Sequence, residues 1–169
     1  MSTRQHDAGF PPAPSSGRLE SIQISDGGVP KRPVIHPVQV TSSGLEGDRQ
    51  RDLRYHGGPD RAVCLLAQEI IDALRSEGHP IARGTTGENL TISGLDWSLV
   101  RTGARLSVGE IELEITRPAN PCKNLIGSFR DGDFSPLSAK LHPGRARMYA
   151  RVLKPGLIQA GDRVTLADP

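Results

Sequence analysis

Glycine and proline punctuate this 169-residue chain so densely that most of its elements must be short: 19 glycines and 14 prolines accompany an apolar share of 36%, of which little is aromatic. Both residues favour turns, so the pattern points to many brief strands joined by loops and not to a helical bundle. Ile111, Leu113 and Ile115 alternate with Glu112, Glu114 and Thr116, the period-two signature of a half-buried strand. Further strands are expected at residues 18–24, 62–66, 148–153 and 161–166, with a short one inside the loop-strand-turn stretch 85–95 and another inside the turn-strand-turn unit 102–110. A strand over residues 34–40 contains Pro37 and is therefore expected at an edge or bulged. The one clear helical period covers residues 68–77, with Ile70, Ile71 and Leu74 on one face and Gly78-His79-Pro80 as its stop. A second, short helical segment is expected at residues 137–142. Together these predict a mainly β fold with a few short helices, of the α+β kind, closed or nearly closed into a β-barrel. Residues 1–16 are expected to form a flexible, polar, Pro-rich arm, and residues 17–169 a single domain.

Charge excludes one class of partner. Lys and Arg number 21 against 19 Asp and Glu, a net charge of +2, so there is no basic field of the nucleic-acid-binding kind. No apolar run approaches a membrane span, and the N-terminus has no apolar signal core. Cys64 and Cys122 lie far apart and make neither a disulfide framework nor a zinc motif. The expected location is the cytoplasm, with both thiols reduced.

Chemistry concentrates in two stretches. The first runs from Gly44-Leu45-Glu46-Gly47-Asp48 to Tyr55-His56-Gly57-Gly58-Pro59-Asp60-Arg61 and straight into an apolar run. Adjacent glycines leave backbone N–H groups uncovered, and Arg61 offers a planar fork of donors, which together suit an anion. His56 adds a switchable donor. The same residues also make an ordinary β-turn with a surface arginine. Lys31, next to Arg32 between two prolines, is either a solvated cation or a charge for a phosphate. Glu88 and Asn89, at the mouth of a strand, either orient a polar ligand or bond backbone. The second stretch is Pro118-Ala119-Asn120-Pro121-Cys122-Lys123, which presents Cys122 ahead of a helical turn with basic neighbours. That setting favours a reactive or metal-ligating thiolate, suited to a soft transition metal or to sulfur transfer. Cys64, between Val63 and Leu65, reads as a small buried residue.

Four ordered motifs resemble a known family. Gly-Leu-Glu-Gly-Asp at 44–48, His-Gly-Gly-Pro-Asp-Arg-Ala-Val at 56–63, Gly-Glu-Asn-Leu-Thr at 87–91 and Pro-Cys at 121–122 are similar to those of a MOSC domain, named after the C-terminal domain of molybdenum cofactor sulfurase. The resemblance extends to the bacterial stand-alone members. It implies a barrel-like fold binding molybdenum cofactor (Mo-molybdopterin), with Cys122 as metal ligand and catalytic residue. Lys31, His56, Gly57, Gly58, Asp60, Arg61, Glu88 and Asn89 are then the implied contacts to the pterin and its phosphate. The implied activity is reduction of small N-hydroxylated compounds, with electrons from a separate reductase and no pyridoxal phosphate site. The alternative is a sulfur carrier holding a persulfide on Cys122.

Overall fold

The computed structural model describes residues 15–49 and 58–167, so His56, Gly57 and the expected arm up to residue 14 lie outside the described residues. In chain order the strands are β1 (Ser16–Ile24), β2 (Arg32–Val34), β3 (Val38–Thr41), β4 (Gly44–Leu45), β5 (Val63–Ala67), β6 (Leu90–Ser93), β7 (Arg105–Val108), β8 (Ile111–Ala119), β9 (Arg147–Lys154), β10 (Gly156–Ile158) and β11 (Arg163–Leu166). A single α-helix among the described residues, α1 (Gln68–Ser76), joins β5 to β6. Its buried face is Ile70, Ile71 and Leu74, and no helix among the described residues is long and apolar enough to cross a membrane.

Closure depends on β1, which begins at Ser16, two residues ahead of the expected start. Its first residues pair with β11, its middle with β6 and its end with β2. Following the pairings β1-β11-β7-β8-β9-β5-β6 and back to β1 gives a closed barrel of seven strands. Every barrel pairing is antiparallel except β5 with β6. A parallel pair needs a crossover, and α1 supplies it. Where β1 passes between its two barrel neighbours the backbones nearly touch. A Cβ on Gly17 would stand 2.0 Å from the Ser93 carbonyl oxygen, so only glycine fits there. The barrel interior is aliphatic: Leu19, Ile22, Leu65, Leu90, Ile92, Leu106, Ile111, Leu113 and Val164 are buried. Each such side chain contributes about 1.5–3 kcal/mol by leaving water.

Pro37 does more than bulge one strand. The expected 34–40 strand is two strands, β2 ending at Val34 on the rim of the barrel sheet and β3 in a separate sheet of order β10-β3-β4. The expected helical segment at residues 137–142 is a 3-10 turn at Ser135–Leu137, set earlier because Pro136 occupies its first turn, where a missing N–H is harmless.

Candidate functional site

Asn89 stands one residue before β6 and spends its whole side chain on neighbouring strands. Its Nδ2 donates to the Gln23 carbonyl at 3.2 Å and to Asp48 Oδ2 at 2.9 Å, while its Oδ1 accepts from the Cys64 N–H at 3.0 Å. Its backbone continues the stitching, donating to the Cys64 carbonyl at 2.7 Å and accepting from Gln23 N–H at 2.8 Å. Asp48 closes the Gly44–Asp48 motif onto the same point. Both its oxygens lie 2.7 Å from Lys31 Nζ, with the two side chains only 2% and 5% exposed, and the Ser25 N–H donates to Oδ1 at 3.0 Å. Lys31, Asn89 and Asp48 therefore form one buried network whose charges are matched inside the protein.

Glu88 points the opposite way from Asn89 into the turn before β6. Gly84 N–H donates to its Oε1 at 2.5 Å and the Thr86 hydroxyl donates to Oε2. Burial pushes the carboxyl pKa up, against the opposing pull of those hydrogen bonds and of Arg147. Arg147, 6% exposed at the first position of β9, donates from Nη1 to the Thr86 carbonyl at 2.5 Å and from Nη2 to the Asn120 carbonyl at 3.1 Å. It thus joins the Glu88 turn to the segment that leads to Cys122.

Cys122 is half-buried and precedes a 3-10 turn over Lys123–Ser128, whose Leu125 N–H donates to the Cys122 carbonyl at 2.9 Å. Tyr149 of β9 pairs with Cys64 of β5 on one side and with Arg117 of β8 on the other. Burial raises the Tyr149 phenol to about 12, reinforced by the Cys64 and Cys122 sulfurs and opposed by Arg147 and Arg61. The Arg61 guanidinium carbon lies 5.9 Å from the ring centroid, a cation–π distance. Arg61 sits on a 3-10 turn (Pro59–Arg61) started by exposed Gly58 at φ 83°. Asp60 on that turn faces outward to Arg151 at 3.5 Å, and its carbonyl accepts from the Thr116 hydroxyl at 2.5 Å.

Cys64 is the sealed thiol, and burial lifts its pKa from 9.0 to about 11. Between those values the unfolded thiol ionises while the folded one keeps its proton, so the unfolded state binds fewer protons. Stability present below pH 9.0 is then lost as pH rises through about 11, by at most about 2–3 kcal/mol. Tyr149 adds a slope of the same sign at higher pH. In Cys64→Ala, urea unfolding at about pH 8 and about pH 10.5 should show a smaller difference than in the wild type. An unchanged difference would mean the Cys64 thiol ionises in place.

The sequence-derived candidates thus fall into three groups. Lys31, Glu88 and Asn89 are interior; Cys122 and Arg61 are half-buried, Arg61 against the Tyr149 ring; Asp60 and Gly58 are exposed. Among the described residues no cluster of three His, Cys, Asp or Glu is arranged to hold a metal ion. Asp48, Thr86, Arg147 and Tyr149 are site residues that sequence reasoning did not single out. For Asp48 a signal existed, its place at the end of a Gly-bounded motif.

Comparison with known proteins decides the family. The MOSC domain description matches residues 52–165, which takes in Arg61, Glu88, Asn89, Cys122 and Arg147. The chain belongs to the MOSC domain family. This MOSC protein is 32% identical over 140 residues to the uncharacterised protein YflK of Bacillus subtilis, a match covering 82% of this chain and 62% of YflK. It is 31% identical over 137 residues to a protein named reductase from Gibberella moniliformis, covering 78% of this chain but 24% of that one. The crystal structure of YiiM from Geobacillus stearothermophilus superposes with a TM-score of 0.72 at 26% identity, covering 90% of this chain and 75% of that one. The MOSC protein therefore spans less than two thirds of the length of either YflK or the reductase.

Proposed function

We propose that this MOSC protein binds molybdenum cofactor through Cys122 and reduces small N-hydroxylated compounds with electrons from a separate reductase. The observation that carries this reading is the contrast between the two thiols. Cys64 is sealed in the core, whereas Cys122 is half-buried, two residues after the Asn120 carbonyl that Arg147 holds. Among the described residues no cluster of three His, Cys, Asp or Glu includes Cys122, and a lone thiol is a poor site for a bare ion. It suits a metal that arrives already chelated by the sulfurs of its own pterin, so the donor set fits the group. When bound, the cofactor supplies two-electron chemistry at molybdenum, which converts N–OH and two protons to N–H and water.

The chain's own residues bind and orient. Cys122 is the protein's ligand to the metal. Arg61 supplies a cation for the pterin phosphate, and Gly58 leaves the adjacent backbone uncovered for the same anion. His56 and Gly57 precede that turn in the sequence, Asp60 lies on it, and all three belong to the proposed contact set. Lys31, Glu88 and Asn89 act through the loops they hold, since their polar atoms already engage Asp48, Gly84, Thr86, Cys64 and Gln23. The MOSC relative named reductase supports a redox role.

The test is expression in a host that makes molybdenum cofactor, with molybdenum and pterin measured per chain. Stoichiometric metal is expected in the wild type and little in Cys122→Ser, with reduction of hydroxylamines or amidoximes slowed more than about 100-fold. Full N-reductase activity in Cys122→Ser would overturn the assignment. A folded wild type that stays free of molybdenum despite cofactor supply would favour the sulfur carrier, detected as a persulfide on Cys122.

A further inference from the structure

Cys122 leaves β8 on a segment with little backbone support. Pro121 has no N–H to give, and Asn120 and Pro121 lie between β8 and the following 3-10 turn. What holds the Asn120 carbonyl is a side chain from the neighbouring strand. Arg147 faces Ala119 in the β8–β9 register, and its guanidinium turns inward to reach across. One arm of the fork meets the Asn120 carbonyl at 3.1 Å, with Ala119 at 3.5 Å, and the other meets the Thr86 carbonyl at 2.5 Å. Thr86 in turn donates its hydroxyl to Glu88, so the buried cation lies between the turn that carries a buried carboxylate and the loop that carries the thiol.

Burying a guanidinium is costly unless its donors are met, and here carbonyls of two separate segments take the two Nη groups, while Nε is buried without a partner. A lysine supplies the charge but is a point donor, without a rigid fork to span both carbonyls. We propose that Arg147 is a positioning residue for Cys122, its guanidinium clamping the Asn120 and Thr86 carbonyls so that the thiol loop is held in one place against the Glu88 turn. Arg147 touches neither thiol nor cofactor in this role and acts through the backbone two residues ahead of Cys122. Its importance for catalysis rests on the reading of Cys122 as the functional thiol; the clamp itself does not.

The experiment uses the full chain without cofactor, and the variants Arg147→Lys and Arg147→Met. Alkylation of Cys122 by iodoacetamide is followed by mass spectrometry at one common pH, and Arg147→Lys, which keeps the cation, separates access from loss of charge. Exchange of the Leu125 amide, which donates to the Cys122 carbonyl, is read alongside it. Both variants should alkylate and exchange about tenfold faster, the ratio expected when one hydrogen bond to a charged group is lost. The discriminating result is Arg147→Lys with near wild-type melting temperature yet accelerated alkylation, because lysine restores the charge opposite Glu88 without the fork. Wild-type rates in Arg147→Lys would overturn the clamp, and this variant alone decides if Arg147→Met does not fold. Failure of molybdenum loading with the clamp intact would instead count against the cofactor reading alone.

Discussion

Asp48→Ala is expected to lower the unfolding free energy by about 3–5 kcal/mol, the usual consequence of removing one partner from a buried ion pair. The pair is as enclosed as such pairs become, since Lys31 and Asp48 expose 2% and 5% of their side chains. Deleting the carboxylate strands the Lys31 ammonium in the interior with both of its 2.7 Å hydrogen bonds gone. It also removes the acceptor of Asn89 Nδ2 and of the Ser25 N–H, so a second and a third polar group lose a partner. Much of the penalty comes from the charge left behind and not from the attraction lost. The double variant Asp48→Ala, Lys31→Met should therefore recover a substantial part of it, because no buried charge then remains. Urea unfolding of the two single variants and the double closes the cycle. A loss below about 1 kcal/mol for Asp48→Ala would mean the pair behaves as a surface salt bridge.

That network marks where sequence reading stops. Strands β5 and β8 are legible because their signals are local: an unbroken apolar run in one, a period of two in the other. Helix α1 is legible for the same reason, with its apolar face and its Gly78 stop within one short window. Lys31 and Asp48 are 17 positions apart, Asn89 and Asp48 are 41 apart, and Arg147 and Thr86 are 61 apart. Nothing in the residues around Lys31 says that its charge is answered from inside, so a phosphate contact and an internal partner read alike. Arg147 is harder still. A cation at the start of a strand looks like any solvated arginine until β8 and β9 are aligned and the Asn120 carbonyl is found beneath it. The two-residue β4 and the three-residue β10 carry too little pattern to be seen and exist only as partners of β3. Cys122 was readable because proline and lysine neighbours set a thiol apart from an apolar core, and the same contrast identified Cys64 as interior.

Gly84→Ala should destabilise the fold by about 3–5 kcal/mol, far more than the same change at another glycine of similar backbone angle. Gly84 has φ 84°, where an L side chain is strained by roughly 1–2 kcal/mol. Space is the larger obstacle. A Cβ there would lie 2.2 Å from the Lys31 carbonyl oxygen, 2.9 Å from its carbon and 3.0 Å from Gln23 Cγ. Backbone cannot rotate aside as a flexible side chain can, so the two segments must separate, an overpacking cost of about 1–3 kcal/mol before any bond is counted. Separation strikes the site directly, since the Lys31 N–H donates to the Gly84 carbonyl at 2.8 Å and the Gly84 N–H donates to Glu88. Moving Gly84 thus loosens the Glu88 carboxylate and the segment that carries Lys31 together. Gly103, at φ 90° with nothing within 4 Å of its would-be Cβ, isolates the backbone strain alone. Gly103→Ala should cost only about 1–2 kcal/mol by the same unfolding measurement. Equal losses at the two positions would show that strain dominates and that the approach of Gly84 to Lys31 is not a tight one. A loss at Gly84 exceeding that at Gly103 by about 2 kcal/mol or more would show that the contact between these loops, and not turn geometry, is what requires glycine.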